Sequence, residues 1–172
     1  MSHERPLSRR ALELHGRAFV KKSGISLKPG ERIRPFGTSW LICDDGGFVP
    51  CPWAFEIAER IRLKSRTRLL DLGCGVGSLL LAMADIHGTL EFGIGIERQA
   101  RALDQARRNI QLSGHKHLSV VRADVRSHVL GPHFDLVVCN PPFYPPGWGR
   151  VSARQRVAEA THAFHGGVNE FA

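Results

Sequence analysis

Four stretches of this 172-residue chain set an amide or a carboxylate at the point where an apolar run gives out. The run Leu136-Val137-Val138-Cys139 ends in Asn140-Pro141-Pro142-Phe143-Tyr144. Two consecutive prolines lack backbone N–H groups and fix their own φ, so a strand stops there and the chain leaving it is stiff. Asn140 is thereby held at a strand end among free carbonyls and rings, a setting suited to gripping a flat, polar, hydrogen-bonding group. A second stretch, TRLLDLG, runs into Asp71-Leu72-Gly73-Cys74-Gly75-Val76-Gly77. Its glycines permit a tight turn and close backbone approach to a ligand, and a following helix would offer unpaired N–H groups. The spacing is not G-x-G-x-x-G, because the third glycine comes one residue early. Glu97 ends GIGIE, about 20 residues beyond Gly77, where a carboxylate can accept from both hydroxyls of a ribose. Asp124 ends VVRAD, where a carboxylate can accept from an amino group such as that of adenine. Taken singly, each residue has a plain role as helix cap, surface charge or turn residue. Their order, each at the end of a successive strand, is what points to one site.

The elements that must position these groups are legible from periodicity. Strands are expected at TRLLDLG, Leu90 to Ile96, Leu118 to Ala123 and Phe134 to Cys139. Between them, Ser78 to His87 reads as an Ala/Leu helix closed by Gly88. Gln99 to Leu112 reads as a helix with Leu103, Ala106 and Ile110 on one face, closed by Gly114. A short turn or helix is expected over Val125 to Leu130. Strands apolar on both faces, alternating with helices, predict an α/β, doubly wound, mainly parallel sheet. In such sheets ligands bind outside the carboxyl ends of the strands, where strand order reverses. Upstream, SRRALELHGRAF predicts a short helix, and TSWLICDDGGFVP (38 to 50) a hairpin about its D-D-G-G turn. Trp53 to Leu63 repeats apolar residues at helical spacing.

Composition bounds the rest. The length suits one domain, and a hydrophobic share of 42% with a charged share of 23% is that of a soluble globular protein. No apolar run approaches the roughly 18 residues that span a bilayer, and the N-terminus lacks the apolar core of a secretory signal. Cys43, Cys51, Cys74 and Cys139 form no C-x-x-C pair, which fits reduced thiols in a cytoplasmic protein. His162 and His165 lack partners at ligand spacing, so no metal site is expected. The net charge is +8 (24 basic, 16 acidic). Residues 1–34 form a basic arm, with nine Lys or Arg against Glu4, Glu13 and Glu31, and RIRLKSRTR (60 to 68) has no acid at all. A solvated surface explains both, and so does an electrostatic footprint for a polyanion, with nucleic acid the first candidate.

DLGCGVG, Glu97, Ala123-Asp124 and NPPF resemble the ordered motifs of class I S-adenosylmethionine-dependent methyltransferases, in the small-domain group whose signature is Asn or Asp, two prolines and an aromatic residue. The resemblance covers residues 66 to 145 within a methyltransferase domain set at 35–172. It implies a Rossmann-like methyltransferase fold with S-adenosylmethionine as cofactor. It assigns Asp71, Gly73, Gly75, Gly77, Glu97, Asp124 and Asn140 to cofactor binding: the loop under the methionine part, Asp71 near the ammonium, Glu97 at the ribose, Asp124 at the adenine. It assigns Asn140, Pro141 and Phe143 to catalysis, and Pro142, Phe143 and Tyr144 to the substrate. The group methylated would be a planar nitrogen, whose two hydrogens bond the Asn140 side-chain oxygen and the Pro141 carbonyl while Phe143, with Tyr144, stacks on it. NPPF resembles the form found in RNA base N-methyltransferases acting on tRNA or rRNA. The tail SARQRVAEATHAFHGGVNEFA is similar to the corresponding region of tRNA adenine-N6 enzymes, and the basic arm agrees with a polyanion substrate. Protein glutamine methylation of the release-factor type is the alternative, and small-molecule N-methylation a third.

The chain departs from that family in one respect. Relatives usually carry seven strands, three of them after the signature, whereas here only residues 144 to 172 follow Phe143 and none of them reads as a buried strand. The sheet is therefore expected to be truncated after its fourth core strand. Its open edge would be covered by residues after Gly147, by self-association or by a partner chain, and a cofactor-binding remnant without activity stands as a further reading.

Overall fold

A computed structural model of the chain describes residues 9–45, 53–127, 133–142, 144, 151–153 and 158. Four strands, β3 (Thr67–Leu72), β4 (Leu90–Glu97), β5 (Leu118–Arg122) and β6 (Leu136–Cys139), form a parallel sheet in the order β5-β4-β3-β6. The chain runs outward from β3 through β4 to β5 and then returns to the other side of β3. Strand order reverses between β3 and β6, which is where ligands bind in open α/β sheets. The expected parallel α/β architecture is the one observed.

Both faces of the sheet are apolar, as parallel strands require. On one face Leu69, Leu118, Val120 and Val138 pack with Leu79, Leu80 and Met83 of α3 (Ser78–Ile86) and with Leu103 and Ala106 of α4 (Ala100–Ser113). On the other, Leu70, Leu72, Ile96 and Ala123 form a second cluster with Phe134 and Val125. The close fit of helices to sheet depends on the glycines of β4. A Cβ at Gly93 would lie 2.7 Å from Leu118 and 2.9 Å from Leu80, and one at Gly95 would lie 2.7 Å from the Cys74 sulfur. Helix α4 ends, as expected, on Gly114 at φ 75°, whose N–H caps the Ile110 carbonyl. Helix α3 ends instead on His87 at φ −114°, its N–H bonded to Met83, rather than on Gly88.

The N-terminal region departs most from expectation. Helix α1 (Arg9–Lys22) precedes a hairpin of β1 (Glu31–Phe36) and β2 (Ser39–Asp44), with register running from Phe36 opposite Ser39 to Glu31 opposite Asp44. The apolar run of β2 thus pairs backward, with β1. The turn between them is Gly37-Thr38, with Gly37 at φ 55°. A two-residue hairpin loop selects a residue that accepts positive φ. The second arm expected after D-D-G-G lies outside the described residues, as do Cys51, His162 and His165. Pro35 is tolerated in β1 because its missing N–H falls on an edge strand. The expected boundary at residue 34 falls inside a strand. The described part of the arm is packed: Val20, Ile25 and Ile33 form a small core with Ile42 of β2 and Leu112 of α4. Gly16 lets α1 approach so closely that a Cβ there would lie 2.6 Å from the Trp40 ring. Helix α2 (Trp53–Arg60) follows and packs through Ala54 and Ala58.

Among the described residues β6 has a neighbour on one side only, β3. Its amino end is pinned by Asp135, which accepts from the Arg68 backbone N–H and from its guanidinium Nε, both at 2.9 Å. Of the chain after Gly147 only residues 151–153 and 158 are described, and none of them forms a strand beside β6.

Candidate functional site

Because the four strands are parallel, their carboxyl ends share one edge of the sheet. Leu72 is level with Ile96 on one side and Cys139 on the other, and Glu97 is level with Arg122. The glycine loop, Glu97, Asp124 and Asn140 therefore lie side by side on adjacent strand ends. With strands about 4.8 Å apart, three intervals give a span of roughly 14 Å from Asp124 to Asn140.

The glycine loop is held at three points. The Cys74 N–H donates to the Ile96 carbonyl at 2.9 Å, the Gly75 N–H donates to Glu97 Oε2 at 3.0 Å, and the Val76 carbonyl accepts from Asn109 Nδ2 at 2.9 Å. Gly73, Gly75 and Gly77 take φ of 72°, 56° and 85°, left-handed conformations that a side chain would strain. Among the described residues, a Cβ at Gly75 would meet nothing within 4 Å, so none of them closes over this bend of the loop. The arrangement is a backbone cradle with room on its outer side.

Asp71 stands behind that cradle and is 1% exposed. Gly77 supplies no side-chain cap to α3, and the Asp71 carboxylate instead accepts the Leu80 N–H in the first turn of the helix. Its Oδ2 is buried with no partner among the described residues. Burial and the nearby Glu97 carboxylate push its pKa up to about 7, against which the Leu80 bond works. Cys74 and Cys139 flank it, and burial raises both thiols, Cys139 to about 12.

Glu97 is nearly buried, and burial raises its pKa although Gln99, Gly75 and Arg98 donate backbone bonds that oppose the rise. Its Oε1 accepts from Gln99 at 2.6 Å and its Oε2 from Gly75 at 3.0 Å, and the carboxylate keeps acceptor capacity beyond these bonds. Asp124 is committed differently. It opens the 3₁₀ turn Val125–Ser127, accepts the Arg126 N–H, and pairs with the Arg126 guanidinium, which holds its carboxyl well below the usual range. Asn140, Pro141 and Pro142 follow β6 and are half-buried, while Tyr144 is largely exposed. Phe143 lies outside the described residues, so its expected stacking role has no geometry here.

The two basic regions differ in position. Lys21 and Lys22 close α1 on its exposed side. The run from Arg60 to Arg68 lies at the amino ends of the strands, across the sheet from the carboxyl-end site. Two of its arginines are paired there, Arg66 with Glu91 and Arg68 with Asp135. That run is set apart from the site.

Comparison with known proteins bears on this architecture. Residues 57–166 match the family described as the methyltransferase small domain. The chain belongs to that family. Among curated members, it is 36% identical over 114 residues to the release factor glutamine methyltransferase of Escherichia coli, covering 64% of this chain and 41% of that one. It is 31% identical over 100 residues to the tRNA1(Val) (adenine(37)-N6)-methyltransferase of Tolumonas auensis, covering 58% and 42%. The chain thus spans about two fifths of the length of these relatives. Among solved structures, it matches the crystal structure of M. jannaschii TYW2 in complex with AdoMet at a TM-score of 0.55, with 19% identity, over 66% of this chain and 52% of that one. At that identity the likeness speaks for the fold.

One residue in contact with the loop escaped the sequence reading. Asn109 is fully buried on α4, and its only sequence signal is an amide in line with Gln105 and Leu112 on a face that should be apolar.

Proposed function

We propose that the chain carries the cofactor-binding part and the Asn-Pro-Pro motif of an S-adenosylmethionine-dependent N-methyltransferase acting on a planar nitrogen. The observation that carries this reading is the alignment of the glycine loop, Glu97, Asp124 and Asn140 on one edge of a parallel sheet beside its point of strand reversal. The donor set suits the cofactor. No described residue stands within 4 Å of a Cβ placed on Gly75, which leaves room for the methionine part, and Glu97 keeps acceptor capacity for ribose hydroxyls. Asp71, with its Oδ2 unpaired among the described residues, stands behind the loop and would supply negative potential there in its ionised form. The adenine would lie toward Asp124, whose carboxylate is engaged by Arg126, so that the strand-end backbone would take the larger share of its contacts.

When bound, S-adenosylmethionine supplies an electrophilic methyl group on sulfur. Asn140 and Pro141 do the rest. The lone pair of an amide or aromatic amino nitrogen is delocalised, so it is a weak nucleophile. The Asn140 side-chain oxygen and the Pro141 carbonyl accept the two N–H hydrogens, turning the lone pair toward the methyl and stabilising positive charge as it develops. The proline pair keeps both acceptors fixed, so little reorganisation accompanies the reaction. The nitrogen then sheds one proton to solvent.

The substrate proposed is an exocyclic amino group of a base in RNA, reached only when the base is unstacked. The exposed Lys21 and Lys22 and the relationship to a tRNA adenine-N6 enzyme support it. The alternative, a glutamine amide in a release factor, is supported by the 36% identity to an enzyme of that type. Methyl-labelled cofactor offered separately with tRNA, rRNA and release factor separates the two. Label in RNA and none in protein is the expected result, and label in release factor alone would replace it with the alternative.

A further inference from the structure

Helix α4 carries a polar seam where it meets the N-terminal hairpin. Arg101 donates to Asp44, Gln105 to Glu31 and Asp44, and Arg108 to Glu31. Asn109 differs from these neighbours in reaching the glycine loop as well as the hairpin. Its Oδ1 accepts the Ile42 N–H at 2.7 Å, and its Nδ2 donates to the Ile42 carbonyl at 3.0 Å and to the Val76 carbonyl at 2.9 Å. Both amide hydrogens and the oxygen are engaged, and the residue has no exposed surface. Ile42 is likewise fully buried in the middle of β2, and Val76 is the residue before the left-handed glycine that opens α3. One side chain therefore joins β2 to the glycine loop.

We infer that Asn109 is a positioning residue that sets the orientation of the Val76 peptide, and with it the cradle, from the docked hairpin. The inference rests on the reading of the loop as the cofactor cradle. The geometry gives it a direction. The tethers at Cys74 and Gly75 come from β4 and fix the loop against the sheet, whereas the tether at Val76 comes from α4 and fixes its helical side. Without the Asn109 donor, the Val76 carbonyl would lose this partner, and the peptide would turn to find another. The other members of the seam hold the hairpin by bonds that do not reach the loop, so they share the structural role but not the positioning one.

That difference sets the test. S-adenosylhomocysteine affinity is measured by calorimetry, and the thermal midpoint of the unliganded protein by circular dichroism, for wild type, Arg108→Met, Asn109→Ala and the isosteric Asn109→Asp. The last keeps the acceptor for Ile42 and loses both donors, and it serves if the alanine variant does not fold. Arg108→Met is expected to lower the midpoint while binding within twofold of wild type. Both Asn109 variants are expected to bind at least tenfold more weakly. Wild-type affinity in a folded Asn109 variant, or an equal loss in Arg108→Met, would overturn the inference. A wild type that bound no S-adenosylhomocysteine would remove the cradle reading and the inference together, and is thus distinguishable from failure of the inference alone.

Discussion

Asp71 shows how far a single residue's role is decided by its surroundings. As a residue type it is a candidate cap or a candidate contact to a cation, and both readings are available from the glycine loop that follows it. The structure makes it a cap delivered from a neighbouring strand, with one oxygen left unpaired among the described residues and almost no exposed surface. Burial raises its pKa to about 7 from an ordinary 3.8, so between those values the folded protein holds a proton that the unfolded chain has released. Stability from this group is therefore greatest below the lower value and falls as pH rises toward 7, by up to about 1.4 kcal/mol per pH unit. Asp71→Asn should remove that slope, so that denaturant unfolding of variant and wild type diverges progressively between pH 4 and 7. Parallel pH profiles would mean that Asp71 is already ionised in the folded protein. Asn140 invites a kinetic test. If its oxygen works on developing charge, Asn140→Ala should retain S-adenosylhomocysteine affinity while the rate of methyl transfer falls by about 10²-fold or more. Wild-type turnover in that variant would set aside the planar-nitrogen mechanism. These residues were legible because each ends an apolar run. Asn109 was not, because nothing in a helical period tells a buried amide with three bonds from an exposed one.

At the scale of elements, the parallel core was readable and the hairpin was not. Strands β3 to β6 are short apolar runs bounded by glycine, carboxylate or proline, and helices α3 and α4 carry apolar stripes at helical period. The strand ERIRPF, by contrast, alternates charged and apolar residues and includes a proline. Its burial depends on Arg108 and Gln105, which lie 77 and 74 residues away from Glu31. Burial alone would raise the Glu31 pKa, but hydrogen bonds from Arg108, the Lys28 N–H and Gln105 outweigh it and hold the carboxyl below its ordinary value. Tertiary pairing of this kind leaves no local pattern. In the sequence the glycines of β4 look like any others within a strand, whereas their function is steric: Gly95 leaves space for Cys74, and so for the loop. Gly95→Ala is expected to cost about 1–3 kcal/mol from overpacking and to weaken cofactor binding as Cys74 shifts. Gly88→Ala, whose Cβ would meet no described residue within 4 Å, should change stability by less than about 0.5 kcal/mol. Equal effects of the two substitutions on unfolding would mean that β4 yields enough to absorb the added methyl.

For the whole molecule, the distribution of charge matters more than its total. A net +8 invites a single footprint, yet the run from Arg60 to Arg68 lies at the far end of the sheet from the site, and the described part of the N-terminal arm is packed through Val20 and Ile25. Deleting the arm would remove part of the core, so charge reversal is the sounder probe. If RNA is bound along α1, Lys21→Glu with Lys22→Glu should flatten the dependence of log affinity on log salt by about 0.7 per lost phosphate contact on single strands. An unchanged slope would move the footprint elsewhere or favour the glutamine substrate.

All of these expectations depend on the strand-end groups forming one cofactor site, and Glu97 is its test. Its carboxylate has acceptor capacity beyond its bonds to Gly75 and Gln99, the capacity proposed here for ribose hydroxyls. Titration calorimetry with S-adenosylhomocysteine on wild type and Glu97→Ala should show saturable binding to wild type and a loss of about 1–3 kcal/mol in the variant, the range for hydrogen bonds to a charged group. No binding to wild type, or equal affinity in the two proteins, would contradict the account.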